Sequence, residues 1–204
     1  MKLNILKIVL FFFVCMSLVH AGDAGSEAEK KDIFPQNVVI EYNNEKINLT
    51  RTGLTVRKKF FLKIYSMAHY VEKKPSLEAD EIYEFILQQI GAKQISMIFL
   101  RSLKAEQIQE SLLSGIKLNT NEDEYLQILP NVEIFMRAIH ADVKENDEFI
   151  LRWLADGTII SLFQGKEISS IKDENFARAL WSIWFSDYSV VNRDLLVKEL
   201  LTSS

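Results

Sequence analysis

The stretch Gly53-Leu-Thr-Val-Arg57-Lys-Lys-Phe-Phe-Leu-Lys-Ile-Tyr65-Ser-Met-Ala-His-Tyr70-Val71 decides how this chain is read. Its β-branched and aromatic residues favour extended backbone. Within that apolar sequence sit one arginine and two tyrosines. A polar head on a half-buried sheet is either hydrogen-bonded within the fold or held for a ligand, because leaving it unpaired costs roughly 1–3 kcal/mol. No Gly, Pro or Asn stands between Lys58 and Tyr65, so the segment reads as two strands or as one long bent strand whose bend has no local marker.

Working outward, residues 38–42 and 45–49 read as short strands joined by Asn43-Asn44, a pair that tolerates the positive φ angles of a tight hairpin. On the other side Pro75 ends the sheet segment, and Ser76 is placed to cap a helix through Ile82, Phe85, Ile86 and Ile90 that stops at Gly91. Residues 95–100 return as an apolar strand. Ala105, Ile108, Leu112 and Ile116 then fall at helical spacing, as do Tyr125, Ile128, Leu129, Val132, Phe135, Met136 and Ile139, with Pro130 expected to kink or restart the second helix.

From Glu148 the period becomes two. Asp156-Gly157 marks a hairpin and Gln164-Gly165 a second turn, giving a three-strand meander. Asp173 and Asn192 are placed to cap two closing helices. Strands first, helices in the middle, a meander and closing helices make an α+β domain in which one face of an antiparallel sheet is covered by helices. A cleft between the layers is where a ligand would sit.

The first 21 residues carry Lys2 and Lys7, an apolar run over 8–19, and Val19-His20-Ala21 before Gly22. This is the layout of a secretory signal peptide, too short for a comfortable membrane span. A lipoprotein anchor at Cys15 is the competing idea, weakened by the bulky Val14 before it. Cleavage after Ala21 leaves a polar leader over 22–32 and a single domain over 33–204, exported to a periplasm or secreted, with no stable membrane insertion. It also removes the only cysteine, so the core, and no disulfide, must stabilise the fold.

The net charge of −4 becomes −6 once Lys2 and Lys7 are lost, which argues against nucleic acid as a partner. The cluster Arg57, Lys58, Lys59 and Lys63 fits a solvated strand edge. His69 and His140 are the histidines of the mature chain and have no partner at ligand spacing, so no metal site is expected. Neither a phosphate loop nor a Ser-His-Asp set is identifiable, and no cofactor is implied. Trp153, Trp181, Trp184 and Phe185 read as core anchors. Met67, Met97 and Met136 suit a pocket that adapts to alkyl or flat ligands.

Several segments in this order resemble the chalcone isomerase-like family, and within it an exported bacterial branch: 53–71 itself, Ile98-Phe99-Leu100-Arg101 leading into a helix, Asp156-Gly157-Thr158, and Phe163-Gln164-Gly165-Lys166. Phe176-Ala-Arg-Ala-Leu-Trp-Ser-Ile-Trp-Phe185 and Leu195-Leu-Val-Lys-Glu-Leu-Leu201 complete the likeness. It runs from about residue 38 to residue 201 and rests on order and spacing more than on any one motif. The resemblance implies an open-faced β-sandwich, an antiparallel sheet covered by a layer of helices, with a ligand cleft between them.

Plant members of that family isomerise chalcones, and others bind fatty acids without catalysis, holding the carboxylate with an arginine and a tyrosine on the sheet. Those two positions match Arg57 and Tyr70. The catalytic threonine of the isomerases aligns with Tyr65, and their tyrosine near the helix start falls near Gln107 or Ile108, so no catalytic residue carries over. Ser186 and Ser189 stand where the family has a glycine and a proline, which bears on the last loop.

Ligand-binding candidates are therefore Arg57, Tyr70 and Tyr65, and the implied partner is a small amphipathic or lipid-like molecule. An intramolecular lyase or isomerase and an envelope accessory protein without ligand are the alternatives. One condition attaches to the first pair. In a continuous strand Arg57 and Tyr70 face opposite sides because their separation is odd, so a shared pocket requires a turn or bulge between them. The rival reading of both is structural, Arg57 paired with an acid and Tyr70 packed.

Overall fold

A computed structural model describes residues 33–73, 81–88 and 90–201. The expected signal peptide, the leader, Pro75 and the Ser76 cap lie outside the described residues. Seven strands form one antiparallel sheet in sequential order: β1 (Asn37–Tyr42), β2 (Glu45–Lys59), β3 (Leu62–Val71), β4 (Lys93–Phe99), β5 (Glu148–Trp153), β6 (Thr158–Phe163) and β7 (Lys166–Lys172). Between them come α1 (Ile82–Leu87), α2 (Ala105–Leu118) and α3 (Glu122–Ala138), and after them α4 (Glu174–Phe185) and α5 (Arg193–Leu201). This is the expected α+β architecture.

Local chemistry explains most of the joints. Asn43 and Asn44 take φ of 51° and 66° in the first hairpin, a conformation asparagine tolerates better than other non-glycine residues. The Asp173 side chain accepts from Phe176 N at 3.0 Å to cap α4, and Asn192 Oδ1 accepts from Leu195 N at 3.3 Å ahead of α5. Pro130 sits inside α3, which runs on from Glu122 to Ala138. Residues 53–71 do not form one bent strand. The chain reverses at Phe60-Phe61, with Phe60 at φ 55°, and β2 carries register shifts at Arg51/Gly53 and at Arg57/Lys58.

The two sheet faces bury separate clusters. One contains Met67, Ile95, Met97, Phe99, Phe149, Leu151 and Trp153 together with the helices. The other contains Phe34, Ile40, Leu49, Ala68, Tyr70 and Leu154. Helix α4 lies deepest, since every residue from Phe176 to Phe185 except Arg178 is buried. Fully burying one of its large apolar side chains contributes roughly 1.5–3 kcal/mol, and substitutions there act on packing first.

Helix α5 is held against β2 by three successive residues. Arg51 forms an ion pair with Glu199 at 2.9 Å, Thr52 Oγ1 donates to Leu196 O at 2.5 Å, and Gly53 leaves so little room that a Cβ there would lie 2.1 Å from Leu195 O. Glycine is required at 53 for close approach, not for conformation.

Two ionisable side chains enter the core. His69 is fully buried, with Nδ1 2.8 Å from Thr52 Oγ1 and Nε2 3.4 Å from the Trp181 indole nitrogen. Thr52 gives its proton to Leu196 O, so His69 Nδ1–H donates to Thr52 and Nε2 accepts from Trp181, the neutral tautomer. Burial, assisted by the Lys93 charge, holds the imidazole pKa well below its ordinary value.

Lys93 is also fully buried, donates to Gln88 O and lies 4.0 Å over the Trp153 ring. Burial, reinforced by repulsion from Arg178 and opposed by Glu174, lowers its pKa from 10.5 to about 7. A group with a depressed cationic pKa binds fewer protons folded than unfolded between those two values. Its destabilisation is therefore complete below pH 7 and is relieved as pH rises toward 10.5. Lys93→Met should stabilise the fold by about 1–2 kcal/mol at pH 7, net of the lost carbonyl and ring contacts. It should also flatten the rise in stability between pH 7 and pH 9, read by urea unfolding at each pH. A variant less stable than the parent would refute this.

Candidate functional site

Arg57 on β2 and Tyr65 on β3 are direct register partners, so their side chains leave the same face of the sheet as neighbours. Tyr65 pairs in turn with Phe99 of β4, and its ring meets that of Phe99 edge-on with centroids 6.0 Å apart. This three-strand rung forms one wall of a cavity of about 340 Å³, within the range of small-ligand sites. The buried residues Met97, Phe99, Leu112, Phe149, Ile183 and Trp184 form its floor, and the exposed Lys59, Phe60, Leu62, Ser102 and Gln107 form its rim.

The charged groups of the cavity have one sign. Among the described residues, Arg57, Lys59 and Arg101 line it and no Asp or Glu does. Arg57 is half-buried and donates one Nη1–H to Val190 O in the loop before α5. A guanidinium has five N–H donors, so most of its fork is uncommitted among the described residues. Arg101 follows β4, and the Leu100 N to Ile64 O hydrogen bond at 2.9 Å extends the β3–β4 pairing to its threshold. Its Nε is buried and has no hydrogen-bond partner among the described residues. A buried donor left unmatched costs roughly 1–3 kcal/mol.

Tyr65 supplies a neutral donor. Its hydroxyl oxygen accepts from Trp184 Nε1 at 2.9 Å, leaving its own O–H free to donate. Burial raises the phenol pKa, an effect that the Trp184 hydrogen bond and the Arg57 charge reduce. The group is protonated at neutral pH. The cavity therefore offers two guanidinium groups and a hydroxyl to an anionic head, with the Lys59 ammonium at the rim, and apolar walls to whatever the head carries.

Tyr70 does not join this site. β3 pairs with β4 without interruption from Tyr65 to Val71, so residues 65 and 70 point to opposite faces. The hairpin turn that brings Arg57 and β3 together does so at Tyr65. Tyr70 is buried in the second cluster beside Ala68 and Leu49, and burial pushes its phenol pKa far up, partly offset by the charge of Arg51. Its register partner is Arg51, whose guanidinium is committed to Glu199, Gln36 and Phe34 O. The expected convergence of Arg57 and Tyr70 is thus corrected to Arg57 with Tyr65, and the structural reading applies to Tyr70.

Arg101 is the residue that strand patterning missed. The available signal was period two: Phe99 and Arg101 share a face with Met97, and a charged residue continuing an apolar face beyond a strand end stands at the lip of whatever that face covers. His140 is exposed, and no cluster of metal-ligating side chains occurs among the described residues. Asp142 accepts from Lys104 Nζ at 2.6 Å and from Ala105 N at 3.1 Å, tying down the loop ahead of α2.

A family model described as chalcone isomerase-like matches residues 31–201. Among solved structures, the crystal structure of an Arabidopsis thaliana fatty-acid binding protein superposes with a TM-score of 0.58 at 14% sequence identity, covering 80% of this chain and 96% of that one. No curated protein sequence matches the chain.

Proposed function

The chain belongs to the chalcone isomerase-like family, and on that premise we propose that it is an exported, non-catalytic binder of a fatty acid or similar amphipathic carboxylate. The observation that carries the reading is an apolar cavity whose charged liners among the described residues, Arg57, Lys59 and Arg101, are all basic, with the buried Arg101 Nε unmatched by any of them. A carboxylate accepts from guanidinium forks in bidentate fashion, and the Tyr65 hydroxyl adds a third donor. Each methylene of the tail moved from water onto the apolar floor contributes about 0.8 kcal/mol. The name of the Arabidopsis protein is consistent with this reading, and the site residues support it independently.

Native mass spectrometry and solvent extraction of the purified protein test it. The expected result is a co-purified acidic lipid, or saturable uptake of an added long-chain acid with much weaker uptake of the alcohol of equal length. A protein that is empty and takes up neither is an accessory protein without ligand. One observation favours a second reading as an intramolecular lyase: a protonated phenol stands beside a guanidinium in the same cavity, the pairing needed to polarise and protonate an enone. Turnover of chalcones by the purified protein decides for it.

A further inference from the structure

We infer that the β2–β3 hairpin tip docks on an anionic lipid surface and sets the mouth of the cavity against it. The tip is Phe60-Phe61-Leu62, with relative exposures of 87%, 99% and 53%. Isolated exposed apolar residues are ordinary, whereas three in succession at a protruding turn are not. Turn propensity does not explain them either. Phe60 takes φ 55°, a region in which a bulky side chain is strained and glycine or asparagine would be at ease.

Charge identifies the partner. Lys58, Lys59 and Lys63 flank the three apolar residues, and no acid occurs between Glu45 and Glu72 in a chain whose net charge is −4. Basic residues around an apolar point match the interfacial zone of a bilayer carrying anionic headgroups, which takes up aromatic side chains and attracts lysine. A protein partner fits less well, because a stable interface buries on the order of 800 Å² on each side and a two-residue turn presents only a narrow convex point. Among the described residues no helix is long and apolar enough to cross a membrane, so the attachment is peripheral.

Docking and cavity share residues. Phe60 and Leu62 of the tip, and Lys59 beside it, also line the cavity rim. Resting on the ligand reading above, this geometry lets an amphipathic acid pass from bilayer to cavity tail-first or head-first without its chain crossing bulk water.

The test is co-flotation of the purified protein with vesicles of phosphatidylcholine, with and without phosphatidylglycerol, at low and high salt. Two variants avoid the cavity lining: Phe61→Ser, and Lys58→Gln with Lys63→Gln. The expected result is binding that requires phosphatidylglycerol, falls at high salt, drops at least about tenfold in F61S and drops roughly fivefold for each lysine removed.

Uptake of monomeric dodecanoate, measured on the same proteins, is expected to be unchanged. Vesicle binding without dodecanoate uptake would overturn the ligand reading and leave the docking intact. Dodecanoate uptake without vesicle binding, or vesicle binding undiminished in F61S, would overturn the docking. Reversible dimerisation in sedimentation, abolished by F61S and with no vesicle binding, would overturn it in favour of a second copy of the chain.

Discussion

Replacing Gly53 with alanine is expected to cost about 4 kcal/mol or more of folding stability. A Cβ at this position would lie 2.1 Å from Leu195 O, 2.6 Å from Leu196 C and 2.8 Å from Leu196 O. All three atoms belong to the α5 backbone, so no side-chain rotation relieves the clash. The helix must retreat by roughly 1 Å or more to regain ordinary contact. That retreat stretches the Thr52 to Leu196 O hydrogen bond and the Arg51–Glu199 ion pair together. Arg51 is only 4% exposed in its side chain, and a buried cation deprived of its partner is strongly destabilising, by about 3–5 kcal/mol. Urea unfolding of G53A, alongside a variant lacking α5, checks this. The two should lose similar stability, and an alanine variant within about 1 kcal/mol of the parent would show that the helix slides freely on β2.

The second large effect is on affinity. Arg57→Ala should weaken a long-chain carboxylate by about 10- to 100-fold, the range for losing a charge-assisted hydrogen bond or a bidentate pair of them. The alcohol of equal length should change by less than about threefold, because apolar contacts are untouched. Arg57 also holds Val190 O, so its removal loosens the last loop and a small common loss is expected for both ligands. Arg101→Ala is free of that complication. Its Nε has no partner among the described residues, so the variant should lose carboxylate affinity while keeping or slightly gaining stability, as when a group is retained for function at the expense of the fold. Equal losses for acid and alcohol in both variants, read by isothermal titration, would remove the guanidinium pair from the proposed role.

Much of the fold is legible in the sequence because turn and cap chemistry is local. Asn43-Asn44, Asp156-Gly157 and Gln164-Gly165 mark three of the reversals, and Asp173 and Asn192 sit where their side chains meet the first amides of a helix. The reversal at Phe60-Phe61 escapes this logic, since neither residue has a local reason to turn. The candidate site inherits that gap. Parity along β3 always separated Tyr65 from Tyr70, but only the position of the turn decides which of them faces Arg57.

The unmatched state of Arg101 is wholly tertiary, for it depends on what the helices leave uncovered. Lys93 was within reach: it shares a face with Ile95, Met97 and Phe99 at period two, which places a cation under the helical layer. The three residues that clamp α5, Arg51, Thr52 and Gly53, look unremarkable in sequence because each one's partner is about 140 residues away.

That separation bears on how the protein is made. Arg51 and Glu199 are 148 positions apart, and at translation rates of about 5–20 residues per second the guanidinium waits roughly 7–30 s for its carboxylate to be synthesised. Throughout that interval the earliest hairpin lacks the segment that fastens it, and its strand borders stay open to neighbouring chains. Shielding of the nascent polypeptide until α5 has cleared the ribosome would keep those borders from pairing with other chains.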